Sequence, residues 1–146
     1  MQTFLPYPSF QASAKALDWR RLGKQRLEAR QIILTLCGCS NGWTSHPAVK
    51  MWEEHQGCLC LYLHAIIQEW TSRGYKNITQ TVQPHKDDDL AILHVDFSPK
   101  EGIDIACHGL KPPPWLGKRA FHASHRSNLL RKDPVWYGQF GWKETP

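Results

Sequence analysis

The chain reads as mainly α, a single domain of about three helices joined by long irregular loops. Apolar residues recur at about 100° per residue along two long stretches. Gly, Pro and small polar residues bracket each stretch where a helix would start or stop. The 146 residues, 41% of them hydrophobic, suit one unit that buries most of its apolar surface without staples.

The opening segment to Ser13 holds two Pro and three aromatics and is expected as an ordered extended arm. From about Ser13 to Cys37 the pattern is helical, with Leu22, Ala29, Ile33 and Leu36 on one stripe. Arg21, Lys24, Gln25 and Glu28 share a neighbouring polar face. Gly38 stops this helix, and "CSNGWTS" is a turn. Ser45 or His46 ahead of Pro47 caps a second helix that runs to Arg73 before Gly74, with Leu59, Leu63, Ile66 and Trp70 as its buried seam. Residues 77 to 114 have poor periodicity and are punctuated by "HKDDDL" and "KPPP". They are expected as long loops, with at most short strands around "LAILHVDF". A third helix occupies about Leu116 to Arg131 and ends at Asp133-Pro134.

No run of apolar residues is long enough to span a bilayer, and "MQTFLPYPSF" lacks the pattern of a secretory signal, so a cytosolic protein without membrane contact is expected. Five Cys, an odd number, argue against a disulfide framework and for reduced thiols. The two Cys-x-Cys pairs are too tightly spaced for the usual zinc loops and read as small buried hydrophobes, with no metal or other cofactor called for. The net charge is +5. It is concentrated in residues 15 to 30, with six basic and two acidic side chains, and in residues 118 to 132, with five basic and none acidic. Two basic elements about a near-neutral middle fit a polyanion, nucleic acid first among them. Two solvated helix faces would give the same composition.

Glu28 stands among Arg21, Lys24, Gln25 and Arg26. Cations around a carboxylate keep it ionised and draw phosphates close, as a general base or oxocarbenium stabiliser at a DNA backbone requires. A surface ion pair uses the same residues. In "FHASHRSNLLRKDPVWYGQFGW", His122, His125 and Arg126 share a helix side, with Asn128, Arg131 and Lys132 following, and phosphate contact fits them better than metal. Trp136, Tyr137, Phe140 and Trp142 place rings beside cations, which suits a stacked or extruded base. A tail packed back over the helices would look alike.

"LDWRRLGKQRLEARQI", "HPAVKMWEEHQGCLCLYLHAIIQEWTSRGY" and "LRKDPVWYGQFG", in this order, resemble the pyrimidine-dimer DNA glycosylases of the phage endonuclease V type. The resemblance covers most of the chain apart from residues 77 to 114. "RRLGKQR" and "HASHRSNLLRKDP" look more like a bacterial and phage branch whose activity the resemblance leaves open. It implies an endonuclease V-like all-α fold and one glycosylase-like domain over residues 1–146. Glu28 falls where the family places its working carboxylate. Arg26 is shifted from the Arg that precedes that Glu in the family, and Arg21 stands in place of a His on the DNA-facing side. Trp136 and Tyr137 match the aromatic tail near the lesion.

The family's nucleophile is the α-amine of a small residue exposed by removal of Met1. Gln2 is too large for ordinary removal, so either the Met1 amine serves or the imine step is absent, and the bulk of Gln2 tilts the expectation toward water. The resulting reading is a monomeric DNA glycosylase on double-stranded DNA, with or without abasic-site lyase activity, acting on a damaged or modified pyrimidine. Its catalytic residues are Glu28, Met1 and Arg26. Its DNA contacts are Arg20, Arg21, Lys24, His122, His125, Arg126, Asn128, Arg131, Lys132, Trp136 and Tyr137. A non-catalytic DNA-binding module and an N-glycoside hydrolase or binder of free nucleotides are the rival readings.

Overall fold

The computed structural model describes residues 1–38, 42–77 and 112–146. Among them there are six α-helices and no strand. The expected loops and short strands of residues 78 to 111 lie outside the described residues.

Ser9 starts α1 (Phe10–Ala16), its hydroxyl accepting the Ala12 N–H. The chain then leaves the helix at Leu17, and Asp18 caps α2 (Trp19–Leu36) by accepting the Arg21 N–H. The single helix expected from Ser13 to Cys37 is therefore two. Asp18 gains more as a buried cap bonded to Tyr137 than it would inside a helix, where its short side chain competes with the backbone. Gly38 ends α2 at φ 79°, a left-handed turn that costs glycine little.

His46 caps α3 (Pro47–Lys50), its Nδ1 accepting the Ala48 N–H at 3.0 Å. A turn through Met51 to Glu54 separates it from α4 (Gln56–Ser72), so the second expected helix is also broken. The turn sends Trp52 into the core, fully buried, with its indole against Trp115 at 4.8 Å and its Nε1–H on Thr3 Oγ1 at 3.1 Å. The third long helix is α5 (Arg119–Lys132), followed by α6 (Pro134–Tyr137) and a 3-10 turn at Gly138–Phe140.

The stripes of α2 and α4 face each other. Leu22, Ala29 and Ile33 bury against a core that includes Leu59 and Ile66, while Leu36, Leu63 and Trp70 are partly covered. Each large aliphatic side chain buried this way contributes about 1.5–3 kcal/mol. Gly23 permits close approach, since a Cβ there would lie 3.0 Å from the Trp70 ring. Arg73, at the end of α4, donates to the Lys15 carbonyl at 3.1 Å and pairs with Glu69 at 2.8 Å, which joins α4 to the end of α1.

Cys37 and Cys60 carry free thiols, and burial, then Cys37, pushes the Cys60 thiol up to about 12. Cys58 is disulfide-bonded, which corrects the expectation of reduced thiols throughout. Among the described residues no helix is long and apolar enough to cross a membrane.

Candidate active site

The arm from Met1 to Pro8 contains two Pro and lies outside any helix or strand, so its polar backbone atoms need partners from elsewhere. Side chains supply them. Gln25, fully buried on α2, accepts the Phe4 N–H on Oε1 at 3.0 Å and donates from Nε2 to the Gln2 carbonyl at 2.8 Å. The Tyr62 hydroxyl on α4 lies 2.6 Å from Gln25 Oε1 and 2.9 Å from the Phe4 carbonyl, sharing its one proton between them. Burial is the largest reason that this phenol is held far above its ordinary pKa.

Helix α5 holds the next residues. His122 Nδ1–H donates to the Leu5 carbonyl at 2.8 Å while its Nε2 accepts the Gly117 N–H at 2.9 Å. His125 Nδ1 accepts the Leu5 N–H at 2.9 Å. Two histidines one turn apart thus receive both backbone groups of Leu5, each in its neutral form. Burial lowers the His122 pKa, and burial, followed by the neighbouring His122, pushes His125 down to about 4. Arg126 then donates to the Pro6 carbonyl at 2.8 Å and pairs with Glu144 at 2.6 Å.

Held in this way, the arm delivers its first residues to Glu28. The Gln2 N–H donates to Glu28 Oε2 at 3.3 Å, and Gln25 Nε2 reaches the same oxygen at 3.0 Å. Lys24 Nζ stands 3.8 Å from Oε1, a pair weakened by the 72% exposure of the lysine. Met1, Gln2 and Glu28 line a cleft of about 740 Å³ together with Asp18, Trp19, Arg20, Arg21, Lys24, Lys132 and Trp136. Arg21 is paired with Asp18 at 3.1 Å, whereas neither Arg20 nor Lys132 enters a salt bridge among the described residues. The cleft therefore offers a carboxylate, the chain's first residue and cations to a single ligand.

Tyr137 is fully buried, donating to Asp18 Oδ1 and accepting the Asp18 N–H at 3.1 Å. Burial opposes ionisation of Asp18, but the bonds from Tyr137 and Arg21 hold its carboxyl below the usual range. Burial, then donation to that carboxylate, raises the Tyr137 phenol. Trp136 donates to the Ala16 carbonyl at 2.9 Å yet stays 37% exposed at the cleft. Trp142 packs back over the helices, bonding Tyr7 Oη at 2.8 Å and stacking on Phe140 at 5.1 Å.

The structure brings Glu28, Met1, Arg20, Arg21, Lys24, Lys132 and Trp136 to one cleft. It does not bring Arg26 there, because its guanidinium stacks on Trp70 at 4.3 Å and bonds Asn77 at 2.8 Å. His122, His125, Arg126 and Tyr137 are engaged inside the protein, and Asn128 accepts from Arg131 at 3.2 Å on the surface of α5. Sequence reasoning missed Trp19, which lines the cleft, and the roles of Gln25, Tyr62 and Asp18. Gln25 carried a signal, since it stands three residues before Glu28 on the same face.

No curated protein and no solved structure matches the chain. The sequence model of the family described as pyrimidine dimer DNA glycosylase matches residues 1–82, which run from the arm through Glu28 and α4. With more than half its length matched, the chain belongs to the pyrimidine dimer DNA glycosylase family.

Proposed function

We propose that the protein removes a damaged or modified pyrimidine from duplex DNA, with the α-amine of residue 1 as nucleophile and Glu28 as its proton acceptor. The observation that supports this reading is the bond from the Gln2 N–H to Glu28 Oε2, in a cationic cleft that Met1 also lines. Gln2 weighed against the amine in the sequence because of its bulk. It is the Gln2 backbone, however, that Gln25 and Glu28 hold.

The amine nitrogen attacks C1′ of an extruded nucleotide, and the C1′–base bond breaks with its electron pair on the base, which takes a proton from water. Glu28 takes the proton lost by the amine and steadies the cationic sugar in the transition state. It returns that proton to O4′ as the C1′–O4′ bond opens, leaving an iminium. Glu28, a carboxylate again, takes a C2′ proton as the C3′–O bond breaks with its electron pair on the 3′ phosphate, and water then hydrolyses the imine to free the amine. Arg20 and Lys132 receive phosphates.

A duplex with one aldehydic abasic site tests this without knowledge of the base. Strand cleavage by β-elimination is expected, together with affinity that falls steeply with salt. Binding that leaves the site intact would overturn the lyase step, and affinity nearly independent of salt would point to a free-nucleotide pocket instead.

A further inference from the structure

We infer that Trp19 is a stacking surface for a nucleobase that has left the duplex stack, in the same cleft as Glu28; this rests on the reading that the cleft takes DNA. Trp19 is 55% exposed, the largest exposure of any Trp among the described residues, and it belongs to no core cluster. A solvent-facing indole forgoes the burial that its large apolar area would otherwise gain. Yet its backbone is firmly placed. It is the first residue of α2, directly after Asp18, which Tyr137 and Arg21 hold in position. Such a ring is held at its backbone while more than half of its side chain meets solvent.

Its surroundings select the ligand. The Arg20 guanidinium lies 5.4 Å from the Trp19 ring centroid, and Lys132 lines the same cleft. The second exposed indole there, Trp136, is fixed through its Nε1–H to Ala16. One indole fixed through its Nε1–H and one exposed indole stand in a cleft with Arg20 and Lys132 as well as the carboxylates of Asp18, Glu28 and Asp133, and rings beside cations suit a nucleotide, which offers a flat π-face and a phosphate to one site. The cleft volume of about 740 Å³ lies within the roughly 300–1,000 Å³ of small-ligand sites. A surface cation–π pair alone would explain Arg20 on Trp19, but not the second exposed indole in the cleft that holds Glu28.

The test compares two duplexes of one sequence, the first fully paired and the second carrying a single bulged 2-aminopurine. Wild-type protein should quench the 2-aminopurine emission. Trp19→Ala should restore that emission and weaken binding to the bulged duplex by about 5- to 100-fold, with affinity for the paired duplex within about twofold. Trp19→Phe should keep most of both properties. Because Trp19 is exposed, the melting temperature of either variant should stay within about 2 °C of wild type. Equal losses on the two duplexes, or unchanged binding and emission on the bulged one, would overturn the assignment. If that happens while borohydride still traps the protein on an abasic site, only Trp19 is reassigned. Failure of the wild type to bind either duplex would sink the DNA reading as well.

Discussion

Gln2 and Glu28 meet directly, the backbone N–H of one donating to Oε2 of the other at 3.3 Å, and Gln25 closes the triangle with bonds to the Gln2 carbonyl and the same oxygen. A buried amide on α2 therefore holds the Gln2 backbone against the carboxylate.

Replacing Gln25 by Leu should remove that control. The Phe4 N–H, the Gln2 carbonyl and the Tyr62 hydroxyl would lose a partner at once. Tyr62 keeps the Phe4 carbonyl, and leaving each of the other two polar groups unpaired costs about 1–3 kcal/mol, so a stability loss of about 2–6 kcal/mol is expected in urea unfolding. Abasic-site cleavage should fall further than stability accounts for, as read on the folded fraction.

Glu28→Gln keeps an acceptor for the Gln2 N–H but removes the charge. Base release or strand cleavage should fall by about 100-fold or more, while affinity for duplex stays within about threefold. Comparing single-turnover rates with binding by anisotropy checks both parts, and a fully active variant would remove Glu28 from the mechanism.

Salt dependence should separate surface cations from internal ones. Lys132→Ala should shallow the slope of log affinity against log salt by about 0.9, the value for one phosphate contact. Arg126→Ala should leave the slope unchanged, because that guanidinium is committed to Pro6 and Glu144. It should instead lower unfolding stability by about 1–3 kcal/mol.

The two histidines on Leu5 give the fold a pH dependence. Burial lowers both, His125 to about 4, so in the range below the ordinary His pKa of about 6.5 the unfolded chain binds protons that the folded one does not. Their contribution is complete above about pH 6.5, declines as pH falls toward 4 and is then exhausted, on the order of 3 kcal/mol for His125. Urea midpoints between pH 7 and 4 should drop accordingly in wild type and less in His125→Asn. Equal slopes in the two proteins would mean that His125 is not held neutral.

These histidines also show where the sequence was legible and where it was not. The stripes of α2 and α4 could be read because burial against one partner leaves a period along the chain. Glu28 could be read with them, since its neighbours on the polar face are local. The break at Asp18 could not, because its deciding partner, Tyr137, lies 119 residues away. His122, His125 and Arg126 looked like phosphate ligands for a related reason. An extended, Pro-containing arm needs side-chain partners for its backbone, and nothing local says which helix supplies them.

The position of the covalent bond tests the central claim most directly. Sodium borohydride, added to the protein on a duplex with one abasic site, reduces any imine to a stable amine that peptide mass mapping can locate. The account predicts the adduct on the α-nitrogen of residue 1, and its loss when added N-terminal residues turn that nitrogen into an amide. An adduct on Lys15 or Lys24 that survives the extension, or sugar cleavage with no adduct at all, would contradict it.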